Sequence, residues 1–151
     1  MTIRLKVPPS YAPGYHVPET LRRGIYFAKS EPINASDVTA STDGKTWDVF
    51  SVPANTMIVY AGVKVVVATT STGYVAILGD SDVTNRYLAN TVILPASTAG
   101  ERTPAVVLHE YTTDQTIQLN LVGSSDDTVP SQGQFIVYVG YVPKTDKLMV
   151  P

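Results

Sequence analysis

The stretch Gln115-Thr116-Ile117-Gln118-Leu119-Asn120-Leu121-Val122 alternates polar and apolar residues from Thr116 to Leu121. Successive side chains of a strand point to opposite faces, so Ile117, Leu119 and Leu121 lie on one side and Thr116, Gln118 and Asn120 on the other. This is a strand with one dry and one wet face. Working outward, β-branched and aromatic runs alternate with turn residues at the spacing of sandwiches and barrels. Strands are expected near Thr46 to Val52, Met57 to Thr69, Tyr74 to Gly79, Thr91 to Leu94, Ala105 to Tyr111 and Gln134 to Val142, with one more near Asp37 to Ser41. The breakers between them are Asp43-Gly44, Pro53-Ala54-Asn55, Ser71-Thr72-Gly73, Gly79 to Asp82, Gly100-Glu101, Gly123 to Asp127 and Ser131 to Gly133. No segment carries a 3.6-residue stripe, and a short helical turn is expected only around Val83 to Ala89.

Two other strands read differently. In Met57 to Thr69 the set Met57, Val59, Ala61, Val63, Val65 and Val67 is wholly apolar, and Ile58, Tyr60, Lys64 and Val66 make the mixed face. In Gln134 to Val142 both sets are apolar: Phe135, Val137, Val139 and Tyr141 against Ile136, Tyr138 and Val142. A strand of that kind is covered on both sides. One sandwich supplies one cover, so the second must come from the N-terminal arm or another subunit. The fold expected is all-β, a single antiparallel sandwich or jelly-roll-like barrel. An immunoglobulin-like sandwich fits less well, because the Cys, Trp, Cys spacing is absent and Trp47 lies early.

Residues 1–35 read as an extended arm and residues 36–151 as the β domain. Pro8, Pro9, Pro13, Pro18 and Pro32 prevent a helix or a central strand in the arm. Yet Tyr11, Tyr15, Leu21, Ile25, Tyr26 and Phe27 give it more apolar surface than a solvated segment carries. The arm therefore lies either along its own domain or on a neighbouring subunit. The expected partner-binding residues are these six together with Ile136, Tyr138 and Val142.

The 151 residues suffice for one domain with a real core. Hydrophobic residues make up 44% and charged residues 16%, so the surface is largely uncharged and polar, which favours association. A net charge of −2 with no Lys or Arg run offers no footprint for a phosphate backbone, and no nucleic acid is expected as partner. The absence of cysteine removes disulfides, thiolate nucleophiles and cysteine-held zinc. Residues 1–9 lack the apolar stretch of a secretory signal, and Met57 to Ala68 holds Lys64 and is too short for a membrane span. Synthesis in the cytosol and no membrane partner are the expectations.

Catalytic chemistry finds little to work with. His16 sits between Tyr15 and Pro18, a poor place for rigid geometry, and His109 reads as a surface or core-edge histidine beside Glu110. There is no G-x-S-x-G, H-E-x-x-H, P-loop or G-x-G-x-x-G. Asp80, Asp82 and Asn85 could in principle offer oxygen ligands to calcium, but without a later bidentate Glu at the right offset the plainer reading is a turn bonded to backbone amides. Ser124-Ser125-Asp126-Asp127 reads the same way. No cofactor, no metal and no enzymatic activity are expected. Nine tyrosines, each joining an apolar face to a polar tip, suit protein interfaces instead.

The segment Val52-Pro53-Ala54-Asn55-Thr56-Met57-Ile58, through Val63-Lys64-Val65-Val66-Val67, to Ile77-Leu78-Gly79-Asp80-Ser81-Asp82-Val83-Thr84-Asn85-Arg86-Tyr87-Leu88 resembles small structural proteins of bacteriophage heads. In those a Pro-Ala turn opens a valine-rich strand, and a Gly-Asp turn closes the next before an Arg-Tyr pair. The resemblance covers about a quarter of the chain. It implies a jelly-roll-like capsid decoration (cement) protein, often a homotrimer, on the capsid exterior of the virion, with the major capsid protein as partner and no catalytic residues. The competing class is a receptor- or glycan-binding head of a tail or capsid fibre, which would normally follow a shaft that is not visible here.

Overall fold

The computed structural model describes residues 24–38, 45–69, 75–89, 102–123 and 130–143. Tyr11, Tyr15, Leu21 and the strand expected at Thr91 to Leu94 lie outside these residues. Eight strands are present among them: β1 (Tyr26–Lys29), β2 (Ile33–Asn34), β3 (Lys45–Val52), β4 (Thr56–Val67), β5 (Val75–Asp80), β6 (Arg102–Tyr111), β7 (Gln115–Val122) and β8 (Gln134–Pro143). All pairings are antiparallel. Sheet A runs β1-β8-β4-β6 with β2 also on β8, and sheet B runs β3-β7-β5.

The pairing is nested from the outside in: β1 and β2 with β8, β3 with β7, β4 with β6. From β3 to β8 each strand lies in the sheet opposite its predecessor. A long hairpin rolled up on itself gives this order, which is the jelly roll. The alternation of Gln115 to Val122 points Ile117, Leu119 and Leu121 inward, where they meet Ile58, Val63, Val65, Phe135, Val137, Val139 and Tyr141 from sheet A. Each such side chain stabilises the fold by roughly 1.5–3 kcal/mol relative to an exposed one.

Two neighbouring arches carry the chain between the sheets. One is Pro53-Ala54-Asn55 between β3 and β4; the other is Thr112-Thr113-Asp114 between β6 and β7. Asn55 adopts φ 61°, a left-handed conformation that asparagine tolerates better than most residues. The arches are tied together by the Asn55 amide donating to the Tyr111 carbonyl at 2.7 Å and the Ala54 amide donating to Asp114 Oδ1 at 2.8 Å.

Three readings of the sequence are changed by the structure. Residues 26–34, read as arm, form the edge strands β1 and β2, an edge position being compatible with the prolines around them. The expected face of β4 changes sides part-way, because the register with β8 slips between Ile58 and Tyr60 and leaves Val59 as an extra residue. Thr56 and Ile58 face the core before this bulge, and Ala61, Val63 and Val65 after it. Finally, no helix forms at Val83 to Ala89, where the chain makes turns. The Asp80 carboxylate accepts from the Asp82 and Val83 amides as a helix cap would, but the chain turns back so that Leu88 pairs with Leu78.

Candidate docking face and a buried carboxylate node

The outward side of sheet A is the larger candidate. In register across its strands lie Phe27, Gly140 and Tyr60 in one row, and Lys29, Tyr138 and Gly62 in the next. Phe27 and Tyr60 meet edge to face with centroids 6.5 Å apart. Gly140 makes this possible. A Cβ there would stand 3.0 Å from Phe27 Cε1 and 3.2 Å from Tyr60 Cβ, so the two rings close over a bare backbone. Phe27 remains 57% exposed and Ile25 48%, and Leu108, beside the slip between β4 and β6, is 75% exposed. Phe27 and Leu108 stand on opposite edges of the sheet, β1 and β6, so the candidate face runs across its whole width.

Among the expected partner residues, Ile25 and Phe27 are exposed, whereas Ile136, Tyr138 and Val142 are half-buried on the outward side of β8. Tyr26 points the other way: it packs against the core, its ring 5.8 Å from that of Tyr141. Tyr60, read from the sequence as a core or interface tyrosine, lies on this face, and Gly140, Lys29 and Lys64 join it without having been singled out from the sequence. Register alone brings them there, since Lys64 opposes Ile136 and Lys29 opposes Tyr138. Neither lysine meets a carboxylate among the described residues.

The outward side of sheet B is chemically different. Gln118 Nε2 donates to Asp48 Oδ1 at 2.7 Å, and the Thr46 hydroxyl bonds Asn120. These polar pairs bond one another across β3 and β7, with Asn120 Nδ2 left without a partner among the described residues.

The second feature is buried at the end of β5. Asp80 is fully buried. Its Oδ1 accepts from the Asp82 and Val83 amides at 3.0 and 2.7 Å, and its Oδ2 from the Tyr111 hydroxyl at 2.7 Å and from Arg86 Nε. Tyr87 in turn donates to the oxygen of Tyr111. Arg86 Nη1 lies 3.4 Å from His109 Nδ1, and the His109 ring stands edge-on to Tyr111 at 4.7 Å. Burial alone would raise the Asp80 carboxyl, but the bonds from Arg86, Tyr111 and Val83 outweigh it and hold Asp80 below the usual carboxylate range. The same burial pushes the Tyr87 and Tyr111 hydroxyls well above the ordinary tyrosine range. The two readings of Asp80 resolve in favour of the backbone-bonded turn, and no metal-holding group of acidic or histidine side chains occurs among the described residues. His109 is the core-edge histidine expected.

The fold and its surface define a small jelly-roll sandwich with one apolar outer face. No family model and no curated protein matches the chain. Solved structures do resemble it in fold. A chain of the cyanophage Pam1 capsid asymmetric unit aligns with TM-score 0.61 at 16% identity, covering 93% of this chain and 97% of that one. A chain of the acidic stable capsid structure of Helicobacter pylori bacteriophage KHP30 aligns with TM-score 0.60 at 13% identity, covering 84% and 93%. A chain of the capsid of Ralstonia phage GP4 gives TM-score 0.57 at 14% identity, covering 82% and 86%.

Proposed function

We propose that this chain is a non-enzymatic capsid decoration protein that binds the outer surface of a phage shell and ties neighbouring major capsid subunits together. The observation that carries the reading is mutual coverage: nearly all of this chain matches nearly all of a chain in the Pam1 capsid. A neighbour of about the same length, used whole, is the pattern of a separately made accessory subunit rather than of one domain within a larger shell-forming chain. The outward face of sheet A supports the reading from the residues. It would contribute the apolar contacts, with the N-terminal arm adding others and a homotrimer multiplying them. Opening the shell would then require breaking many modest contacts at once.

Co-sedimentation with empty, expanded capsids tests this. Saturable binding at a fixed ratio to the major capsid protein, with a raised shell melting temperature, is the expected result. Failure to bind, together with retention on host cells or glycans, would favour the fibre-head class instead.

A further inference from the structure

Residues 81–89 cross the edge of β5 that faces away from β7. Their amides at Tyr87 and Leu88 donate to the Leu78 carbonyl, each at 2.9 Å, and the Leu88 carbonyl accepts from the Leu78 amide at 3.1 Å. The crossing is so close that a Cβ on Gly79 would lie 2.2 Å from the Thr84 backbone. Side chains hold it down through the Asp80 node, and one contact of that node depends on a protonation state.

Arg86 Nη1 lies 3.4 Å from His109 Nδ1. A guanidinium has donors only, so Nδ1 must offer a lone pair, and the ring must be neutral with its proton on Nε2. A protonated imidazole would instead set a second cation against Arg86. Asp80 cannot turn to compensate, because both its oxygens are already engaged by backbone amides, Tyr111 and Arg86.

We propose that residues 81–89 are an acid-released strap: neutral His109 accepts from Arg86 while the strap is closed, and protonation of His109 frees the strap from the edge of β5. The described ionisable groups facing His109 are Arg86, Asp80 and Tyr87 from the strap and β5, and Tyr111 on its own strand. Opposite it β4 presents Ile58, which is uncharged, while Glu110 points to the other face. Burial, then the charge of Arg86, pulls His109 below the usual histidine range, with Asp80 offsetting part of this. The sign follows: the open strap binds the proton more tightly, so closure has its full stability above about pH 6.5 and weakens as the pH falls from there through the lower value of the closed state. Release leaves the amide and carbonyl of Leu78 unpaired at a sheet edge, a surface that accepts an added strand.

Hydrogen exchange of the purified chain between about pH 7.5 and about pH 5, corrected for intrinsic rates, tests the proposal. Protection of the Tyr87 and Leu88 amides should fall by up to about tenfold for each unit by which closure lowers the affinity of His109 for its proton. Core amides such as Leu119 and Val137 should keep theirs. His109→Gln retains an acceptor that does not titrate, and its strap should stay equally protected throughout. Unchanged strap protection in the wild type would overturn the proposal, as would the same loss in His109→Gln. If that variant does not fold, nitrogen chemical shifts of the wild-type ring decide: a proton on Nδ1 at neutral pH overturns the arrangement, and a bare Nδ1 upholds it.

Discussion

The outward faces of the two sheets differ in what they show to water, although sheet B also exposes Val122 and sheet A also exposes Lys29 and Glu110. On sheet B, Asp48 with Gln118 and Thr46 with Asn120 bond one another across strands. On sheet A, Phe27 and Tyr60 close over Gly140, with Lys29 and Lys64 nearby. Polar groups that already satisfy one another gain little from a partner, which must break those bonds before making its own. Apolar area gains about 25 cal/mol for each Å² taken out of water. Under the proposed function, this difference makes the outward side of sheet A the candidate for docking, although both faces belong to one small domain.

The comparison requires both faces to rest on one intact support, and the largest effect is expected there. Asp80→Ala leaves Arg86 and the Tyr111 hydroxyl without their acceptor at a fully buried site, and should cost roughly 3–5 kcal/mol in urea unfolding. The wild type should show a matching acid dependence. Because the folded-state carboxyl titrates below its ordinary 3.8, its stabilisation is complete above that pH and is lost as the pH falls through the lower value. Asp80→Asn should flatten that slope.

The next effect separates the faces. The double substitution Phe27→Ala with Tyr60→Ala should weaken attachment to capsids by roughly 2 kcal/mol or more, about thirtyfold, as loss of a central aromatic anchor does. Smaller again is Gly140→Ala. Its methyl group must displace the two rings, so attachment should weaken while the purified chain, measured by thermal melting, loses about 1 kcal/mol or more. The smallest effect belongs to sheet B: Gln118→Ala should change stability by at most about 1 kcal/mol and leave capsid binding untouched. If it weakens binding as much as the aromatic pair does, the asymmetry between the faces has no functional meaning.

The strands of the core were legible because periodicity survives without knowledge of partners. The span Gln115 to Val122 is the same in sequence and structure, and its inward set is the buried one. β1 and β2 were missed because a short edge strand between prolines gains its stability from β8, which no local pattern records. The apolar set of β4 matches the inward one from Ala61 on but not before the bulge, where Thr56 and Ile58 are buried instead of Met57 and Val59, because one extra residue reverses the parity and hydrophobicity alone does not mark a bulge in so apolar a run. The candidate face was half legible. Phe27 and Tyr138 stood out as aromatics, but the row Phe27, Gly140, Tyr60 exists only through register across three strands. A glycine in a strand is the one local hint that something approaches closely there. Asp80 was readable as a turn former, whereas its bond to Tyr111 depends on a residue 31 positions away.

The most direct measurement is electron microscopy of empty, expanded capsids decorated with the wild-type chain, at a resolution that orients the sandwich. The account predicts ordered density with Phe27, Tyr60 and Tyr138 turned toward the shell and with Asp48 and Gln118 turned toward solvent. Density in which the sheet B face meets the shell, or shells that remain bare, would contradict it.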